Sequence, residues 1–342
     1  MRLEDLDYEL PEELIAQFPA QRREDARLLV VERATGRLHD QHVSDLPRWL
    51  RANDVLALNE TRVTPARIML QRPTGGRVEL LFVRPGSAGE WRVLSKPAKH
   101  AAPGVTLRLP DGSLEVFVES AGERGERTVR VTGGNLAAAL REQGEIPLPP
   151  YIRRAAQESD RDRYQTVFAR VEGAVASPTA GLHFSGELLA SLTAKGVRQA
   201  RVLLHVGPGT FRPVTAADPR LHEMDEEYFE VTSEAAATLN GARAAGGRIV
   251  VVGTTSVRAL ESACDANGGA LAAGSGWTRK FIHDPYRFQA ADALMTNFHL
   301  PRTTLLLMVA AFSGADLLRE AYAHAVRERY RFYSFGDSML VV

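Results

Sequence analysis

The sequence predicts an α/β fold: a discontinuous α/β main domain, residues 1–61 and 153–342, interrupted by an inserted small β-barrel domain at 62–152. Residues 62–131 are short runs rich in Val, Leu, Phe and Thr, broken by Gly and Pro, which is how small barrels read. Beyond the insertion, segments with helical apolar spacing alternate with near-continuous apolar runs of the kind buried on both faces of a sheet. The first 60 residues resemble that later pattern more than the middle one, so one domain is expected to surround the other.

A helix is expected at 12–17, followed by strands at 27–32 and 54–59. Within the insertion, Val78-Glu79-Leu80-Leu81-Phe82-Val83 reads as a strand. Residues 105–109 and 114–118 form a hairpin, because Pro110-Asp111-Gly112 supplies turn chemistry between them. A last strand at 128–131 precedes Gly133-Gly134 and a short helix, after which Ile146-Pro147-Leu148-Pro149-Pro150 stiffens the chain like a linker. A helix at 187–195 then ends at Gly196, before the strand Val202-Leu203-Leu204-His205-Val206. The alanine-rich helix at 233–245 leads into Ile249-Val250-Val251-Val252, and another helix at 257–264 follows at once. Residues 315–329 are amphipathic and helical, and 338–342 reads as a closing strand.

At 342 residues, 44% hydrophobic and 25% charged, the chain can bury a real core and does not have the composition of a disordered, collagenous or coiled-coil protein. A single cysteine, Cys264, excludes an internal disulfide and a zinc site of several thiolates, and suits a reducing compartment. The acidic N-terminus lacks an apolar signal core and the longest apolar run, 305–312, is too short to span a bilayer. A cytoplasmic protein with no membrane partner is therefore expected, and a monomer because no exposed heptad or large apolar stripe stands out. The 42 basic and 42 acidic side chains cancel, yet they are segregated: residues 62–108 carry nine Lys or Arg against Glu79 and Glu90, while 220–234 carries six carboxylates against one arginine. A solvated barrel face and a phosphate-binding surface both account for the basic excess.

Three segments concentrate chemistry at element ends. Gly253-Thr254-Thr255-Ser256 follows an apolar strand and opens a helix, where free N–H groups and the helix dipole favour an anion. Arg258 stands in the first helical turn, where a cation needs a partner that an anionic ligand would supply; simple capping by Thr255 or Ser256 is the alternative. Ser177 to Phe184 packs a turn, a glycine, two hydroxyls and His183 together. His205 closes a strand before Gly207-Pro208-Gly209, and His299 lies in Thr296-Asn297-Phe298-His299. Such histidines serve as acids, bases, hydrogen-bond donors or metal ligands near neutral pH, but no His-x-x-x-His pair specifies zinc, even with His222-Glu223-Met224-Asp225 nearby. No metal is expected. The phosphate-binding NTPase loop, the dinucleotide fingerprint and the hydrolase nucleophile elbow are all missing.

At these residues the chain closely resembles the S-adenosylmethionine:tRNA ribosyltransferase-isomerases of queuosine biosynthesis. The blocks run in order along almost the whole sequence, from Leu10 to Gln17 and Asn59 to Val63, through Pro147 to Ile152, Tyr164 to Val167, Pro178 to Phe184, His205 to Pro213 and Gly253 to Ser262, to Ala273 to Thr278, Thr296 to Pro301 and Tyr330 to Met339. The resemblance implies an α/β domain with an inserted barrel. It also implies transfer of the ribosyl moiety of S-adenosylmethionine to 7-aminomethyl-7-deazaguanine at the tRNA wobble position, giving epoxyqueuosine-tRNA and releasing adenine and methionine. The sulfonium compound is then a ribosyl-donor co-substrate.

That chemistry asks for a base to remove an acidified C5′ proton and for an acid to protonate departing adenine. His183, His205 and His299 are the expected proton-transfer groups. Thr254, Thr255 and Arg258 are expected to hold the donor's carboxylate or another anionic group, with Glu60 or Glu261 near its ammonium or ribose hydroxyls. Arg62, Arg67, Arg72, Arg77, Arg153 and Arg154 are the expected phosphate contacts of the tRNA. Departures from the family pattern are Glu60 for an aspartate, Ser177 for an alanine, Asp225 where a second histidine is frequent, and His283-Asp284-Pro285-Tyr286 for a Pro-Gly-Tyr turn. A non-catalytic tRNA-binding module and a metal-dependent hydrolase are the competing readings.

Overall fold

Apolar runs from both ends of the chain meet in one nine-stranded sheet. The structure, a computed structural model, describes residues 3–211, 218 and 222–342. The N-terminal strands are β1 (Arg27–Val31), β2 (Leu38–His42), β3 (Val55–Asn59) and β4 (Thr61–Val63). Six central strands follow: β5 (Arg67–Gln71), β6 (Arg77–Pro85), β7 (Glu90–Lys96), β8 (Thr106–Arg108), β9 (Leu114–Ala121) and β10 (Glu126–Gly134). The rest are β11 (Val171–Ala174), β12 (Arg198–Leu204), β13 (Glu227–Val231), β14 (Ile249–Val252), β15 (Gly274–Thr278), β16 (Ala293–Asn297) and β17 (Ser338–Val341).

Strands β5 to β10 close into a barrel in the order β10-β7-β6-β5-β8-β9, while the large sheet runs β15-β13-β12-β3-β14-β16-β17-β1-β2. The inserted barrel and the α/β sheet around it are both present, with the expected hairpin formed by antiparallel β8 and β9. Alternation explains the barrel: Val78, Leu80 and Phe82 of β6 point inward to a core with Val93, Leu107 and Val116, and the intervening residues face out. Central strands of the large sheet are instead buried throughout, as in β3 and β14, because helices cover both faces. One cover contains the helices Ser233–Ala244, Thr254–Ala266 and Thr304–Ser313, and the other the helix Gly186–Ala194.

Two expectations are corrected. Residues 12–17 do not form a helix: Glu12–Leu14 is a single 3-10 turn after Pro11, and Ile15 then bridges to Phe332. The proline-rich segment is no free spacer either, since Ile146 and Leu148 are buried with Val63, Ile152, Tyr164 and Phe335. Arg67 adds a hydrogen bond to Leu148 O at 3.1 Å, tying the barrel's first strand to that segment.

Candidate active site

Four neighbouring parallel strands, β12, β3, β14 and β16, bring their carboxyl ends to one edge of the sheet, which is where α/β sheets bind ligands. Thr61 follows β3, His205 follows β12, Gly253 to Ser256 follow β14, and His299 follows β16. Because β17 runs antiparallel to β16 with Asn297 opposite Ser338, Tyr333 and Ser334 also reach this edge. The cleft there is narrow, with a volume of about 50 Å³. Thr254, Thr255, Asn297, His299, Ser177 and Tyr333 line it, with Tyr151 and Phe298 as aromatic wall. Among the described residues no Asp, Glu, Lys or Arg does.

Gly253, at φ 88°, turns β14 into the helix Thr254–Ala266, a backbone angle that side chains other than glycine rarely accept. No side chain caps this helix; Ser256 Oγ donates back to Val252 O at 2.6 Å instead. Its N-terminal amides and the positive end of its dipole therefore lie where Thr254 and Thr255 form the cleft wall. Among the residues that line the same cleft, Ser177 Oγ, Asn297 Oδ1 and Tyr333 OH are buried without a hydrogen-bond partner. Each such group costs about 1–3 kcal/mol if left unmet, so three in one cleft mark positions for a ligand's polar atoms.

Neighbouring groups fix these atoms. Asn297 Nδ2 donates to Tyr333 O at 2.8 Å and lies 3.3 Å from His183 Nε2, which leaves Oδ1 as the free end of the amide. Tyr333 has φ 72°, a strained angle for a bulky residue, and its ring packs on Tyr151 at 4.2 Å between centroids. Tyr151 OH and Ser334 Oγ share a 2.5 Å hydrogen bond. Burial pushes the Tyr333 phenol above its ordinary pKa, so it stays a neutral donor.

The three histidines differ. Burial, with Arg331 adding to it, lowers His183 to about 3, and burial lowers His299 to about 3. Both are neutral near pH 7, and His299 Nε2 pairs with Thr296 Oγ1 at 2.8 Å. His205 is only partly buried; burial lowers its pKa while Glu230 opposes the shift. Its Nδ1 is 2.8 Å from Thr61 Oγ1, and its ring lies so close to Gly173 that a Cβ there would come within 2.8 Å of it. His205 does not itself line the cleft, but Val206 does. Asn59 connects the two places, accepting from Thr61 N at 3.1 Å and donating to Thr255 Oγ1 at 3.2 Å.

Several expected contacts lie elsewhere. The partner of Arg258 is a protein carboxylate: its Nη1 bonds Glu227 Oε2, and its Nε donates to Lys280 O at 3.0 Å. Only Nη2 lacks a partner, beside a small cavity that shares Leu305 with the cleft. Glu261 is fully buried and accepts from Tyr286 OH and from the amides of Gln289 and Ala290, so the expectation that it meets a donor's ammonium or ribose is corrected. Glu60 forms a two-pronged pair with Arg170 at 2.7 and 2.9 Å, outside the cleft.

Among the arginines, Arg154 is corrected most plainly: it is clamped on Asp160 at 2.7 and 2.8 Å, bonded to Gln17 O and set against the Phe18 ring. Arg67 is tied to Leu148 and Glu79. Arg153 pairs with Glu12 and Arg62 with Glu172, both on the surface, while Arg77 is exposed and Arg72 half-buried. The charge segregation is also partly internal, since barrel Arg84 reaches Glu226 of the acidic segment at 3.4 Å. Among the described residues no three His, Cys, Asp or Glu side chains converge as a metal site, and no helix is long and apolar enough to cross a membrane. Arg212 and Pro213 of the His205 block, and Arg220, lie outside the described residues.

Reasoning from sequence assigned no role to Asn297, Tyr333 or Tyr151, although all stand in the family-like blocks; Asn297 closes β16 and Tyr333 precedes β17, while Tyr151 lies in the segment between β10 and β11. Residues 3–341 match the family described as queuosine biosynthesis protein. A relative from Symbiobacterium thermophilum, named S-adenosylmethionine:tRNA ribosyltransferase-isomerase, is 49% identical over 100% of both chains. The crystal structure of an S-adenosylmethionine tRNA ribosyltransferase from Thermotoga maritima, 35% identical, aligns with 99% of this chain and 100% of that one at a TM-score of 0.57. With its sheet-edge cleft and its inserted barrel, the chain belongs to the queuosine biosynthesis family of S-adenosylmethionine:tRNA ribosyltransferase-isomerases and is an enzyme.

Proposed function

We propose that this enzyme transfers the ribosyl moiety of S-adenosylmethionine to 7-aminomethyl-7-deazaguanine at the wobble position of tRNA and isomerises it, giving epoxyqueuosine-tRNA with release of adenine and methionine. The observation that carries the reading is the uncapped N-terminus of the helix Thr254–Ala266, which lines a cleft with three unpartnered polar atoms and no charged side chains. The helix end suits the donor's carboxylate. The aromatic wall of Tyr151, Phe298 and Tyr333 suits its sulfonium, which a ring face attracts when water is excluded.

In this reading His183 and His299, neutral near pH 7, hold Asn297 and Thr296 in place, and His205 carries the proton transfers through its Nε2. Arg62, Arg72, Arg77 and Arg153 take RNA phosphates; the surface pairs of Arg62 and Arg153 are weak enough to exchange for them. The main-domain boundaries at 61 and 153, a monomeric state and a cytoplasmic location belong to the same proposal.

Incubation with S-adenosylmethionine and tRNA carrying the aminomethyl-deazaguanine tests it, read by released adenine and by nucleoside mass spectrometry. Adenine matched by an epoxycyclopentane-bearing nucleoside is the expected result; tRNA binding with neither product would reduce the chain to a binding module. His205→Gln should lower turnover by about 10²–10⁴ with little change in donor KM, and unchanged turnover would remove His205 from the chemistry.

A further inference from the structure

Trp277 is 57% exposed on β15, the edge strand of the large sheet, an unusual place to leave an indole ring. It is not isolated. Tyr228, opposite it on β13, meets it edge to face at 5.8 Å, and Tyr228 in turn stacks on His205 at 6.0 Å and 27°. The Arg84 guanidinium, from the barrel, lies 5.1 Å from the Trp277 ring centre. Arg84 and Arg279 share one carboxylate, Glu226, at 3.4 and 3.3 Å, so each guanidinium keeps donors free beside the ring. Both arginines line the cleft of about 720 Å³ between barrel and sheet.

An exposed ring with one guanidinium against it and a second close by is what an unpaired nucleobase and its phosphate require. A base has two faces to stack and no need of a matched hydrogen-bond pattern, whereas a protein partner would call for a broader apolar patch than one indole. We propose that Trp277 is a stacking platform for an unpaired base of the RNA substrate, flanked by Arg84 and Arg279 for its phosphate, and joined through Tyr228 to His205. The platform would hold the loop nucleotide next to the modified one, so that the reacting base is presented at the sheet edge while its neighbour is pinned outside. This rests on tRNA being the substrate.

The test measures binding of an anticodon stem-loop RNA to the full chain and to Trp277→Ala, Trp277→Leu and Trp277→Phe, together with KM for S-adenosylmethionine. Trp277→Ala and Trp277→Leu should each weaken RNA binding roughly tenfold, Trp277→Phe much less, with donor KM and the salt dependence of binding unchanged. Leucine keeps apolar bulk without a stacking face, so retained binding in Trp277→Leu would overturn the platform in favour of simple packing. Equal RNA binding by wild type and all three variants would overturn it as well, and leave the tRNA reading intact. Failure of the wild type to bind the stem-loop or the intact tRNA would overturn both.

Discussion

The first turn of the helix Thr254–Ala266 and the two turns after it treat polar groups in opposite ways. At its first turn the cap is glycine, the amides face a cleft, and three polar atoms lining that cleft have no partner. One and two turns later, Arg258 and Glu261 are buried and tied to Glu227, Lys280, Tyr286, Gln289 and Ala290. Both regions are polar and buried, and sequence alone ranks them together as ligand contacts. What separates them is whether the fold itself completes the hydrogen bonds: where it does, the residue holds structure, and where it does not, the site awaits a ligand.

The largest expected effect comes from breaking the completed side. Arg258→Ala leaves the Glu227 carboxylate buried without its cation, a change that costs about 3–5 kcal/mol, and urea unfolding should show it. Glu261→Gln should also lose stability, because the amide presents N–H groups toward the Gln289 and Ala290 amides. If Glu261→Gln instead kept wild-type stability and raised the donor KM, the comparison would fail and Glu261 would return to the site.

Acid sharpens the comparison at the next size down. His183 and His299 titrate near 6.5 in the unfolded chain and at about 3 when folded, so the unfolded state binds protons first as pH falls. Their contribution is complete above about pH 6.5 and declines below it, by up to about 1.4 kcal/mol per pH unit for each. Unfolding midpoints at pH 7.5, 6.5 and 5.5 should fall only across the last interval, and His299→Gln should flatten that fall. A midpoint that holds steady from 6.5 to 5.5 would mean that these rings are not buried neutral.

Much of this architecture is legible without coordinates. The barrel shows because its strands alternate, and the sheet shows because β3 and β14 are apolar on both faces. The strand β16 was legible only as the family-like Thr296 block, since five residues ending in Thr-Asn carry little periodicity. Partnerships across long sequence distances were not legible at all. Nothing near Arg258 announces Glu227, 31 residues earlier on β13. The composition of a basic segment likewise counts charges without saying that Arg84 answers Glu226. Element ends can be read from local chemistry, whereas the fate of a charge depends on what the fold places opposite it.

The smallest effects probe the unfinished side, where removing a polar atom should help the fold and hurt the ligand. Tyr333→Phe deletes a hydroxyl that has no partner, so stability should hold or rise by up to about 1 kcal/mol, while KM for S-adenosylmethionine rises several-fold from one lost hydrogen bond. Ser177→Ala makes the same trade at an aliphatic hydroxyl, a weaker donor than a phenol. Its effect on KM should be smaller than that of Tyr333→Phe, with stability again level or slightly higher. The pair of measurements is decisive by sign: a loss of stability in either variant would mean that the hydroxyl is already satisfied within the fold. The unpartnered atoms would then be a feature of packing, and the distinction between the first turn of the helix and the turns after it would not hold.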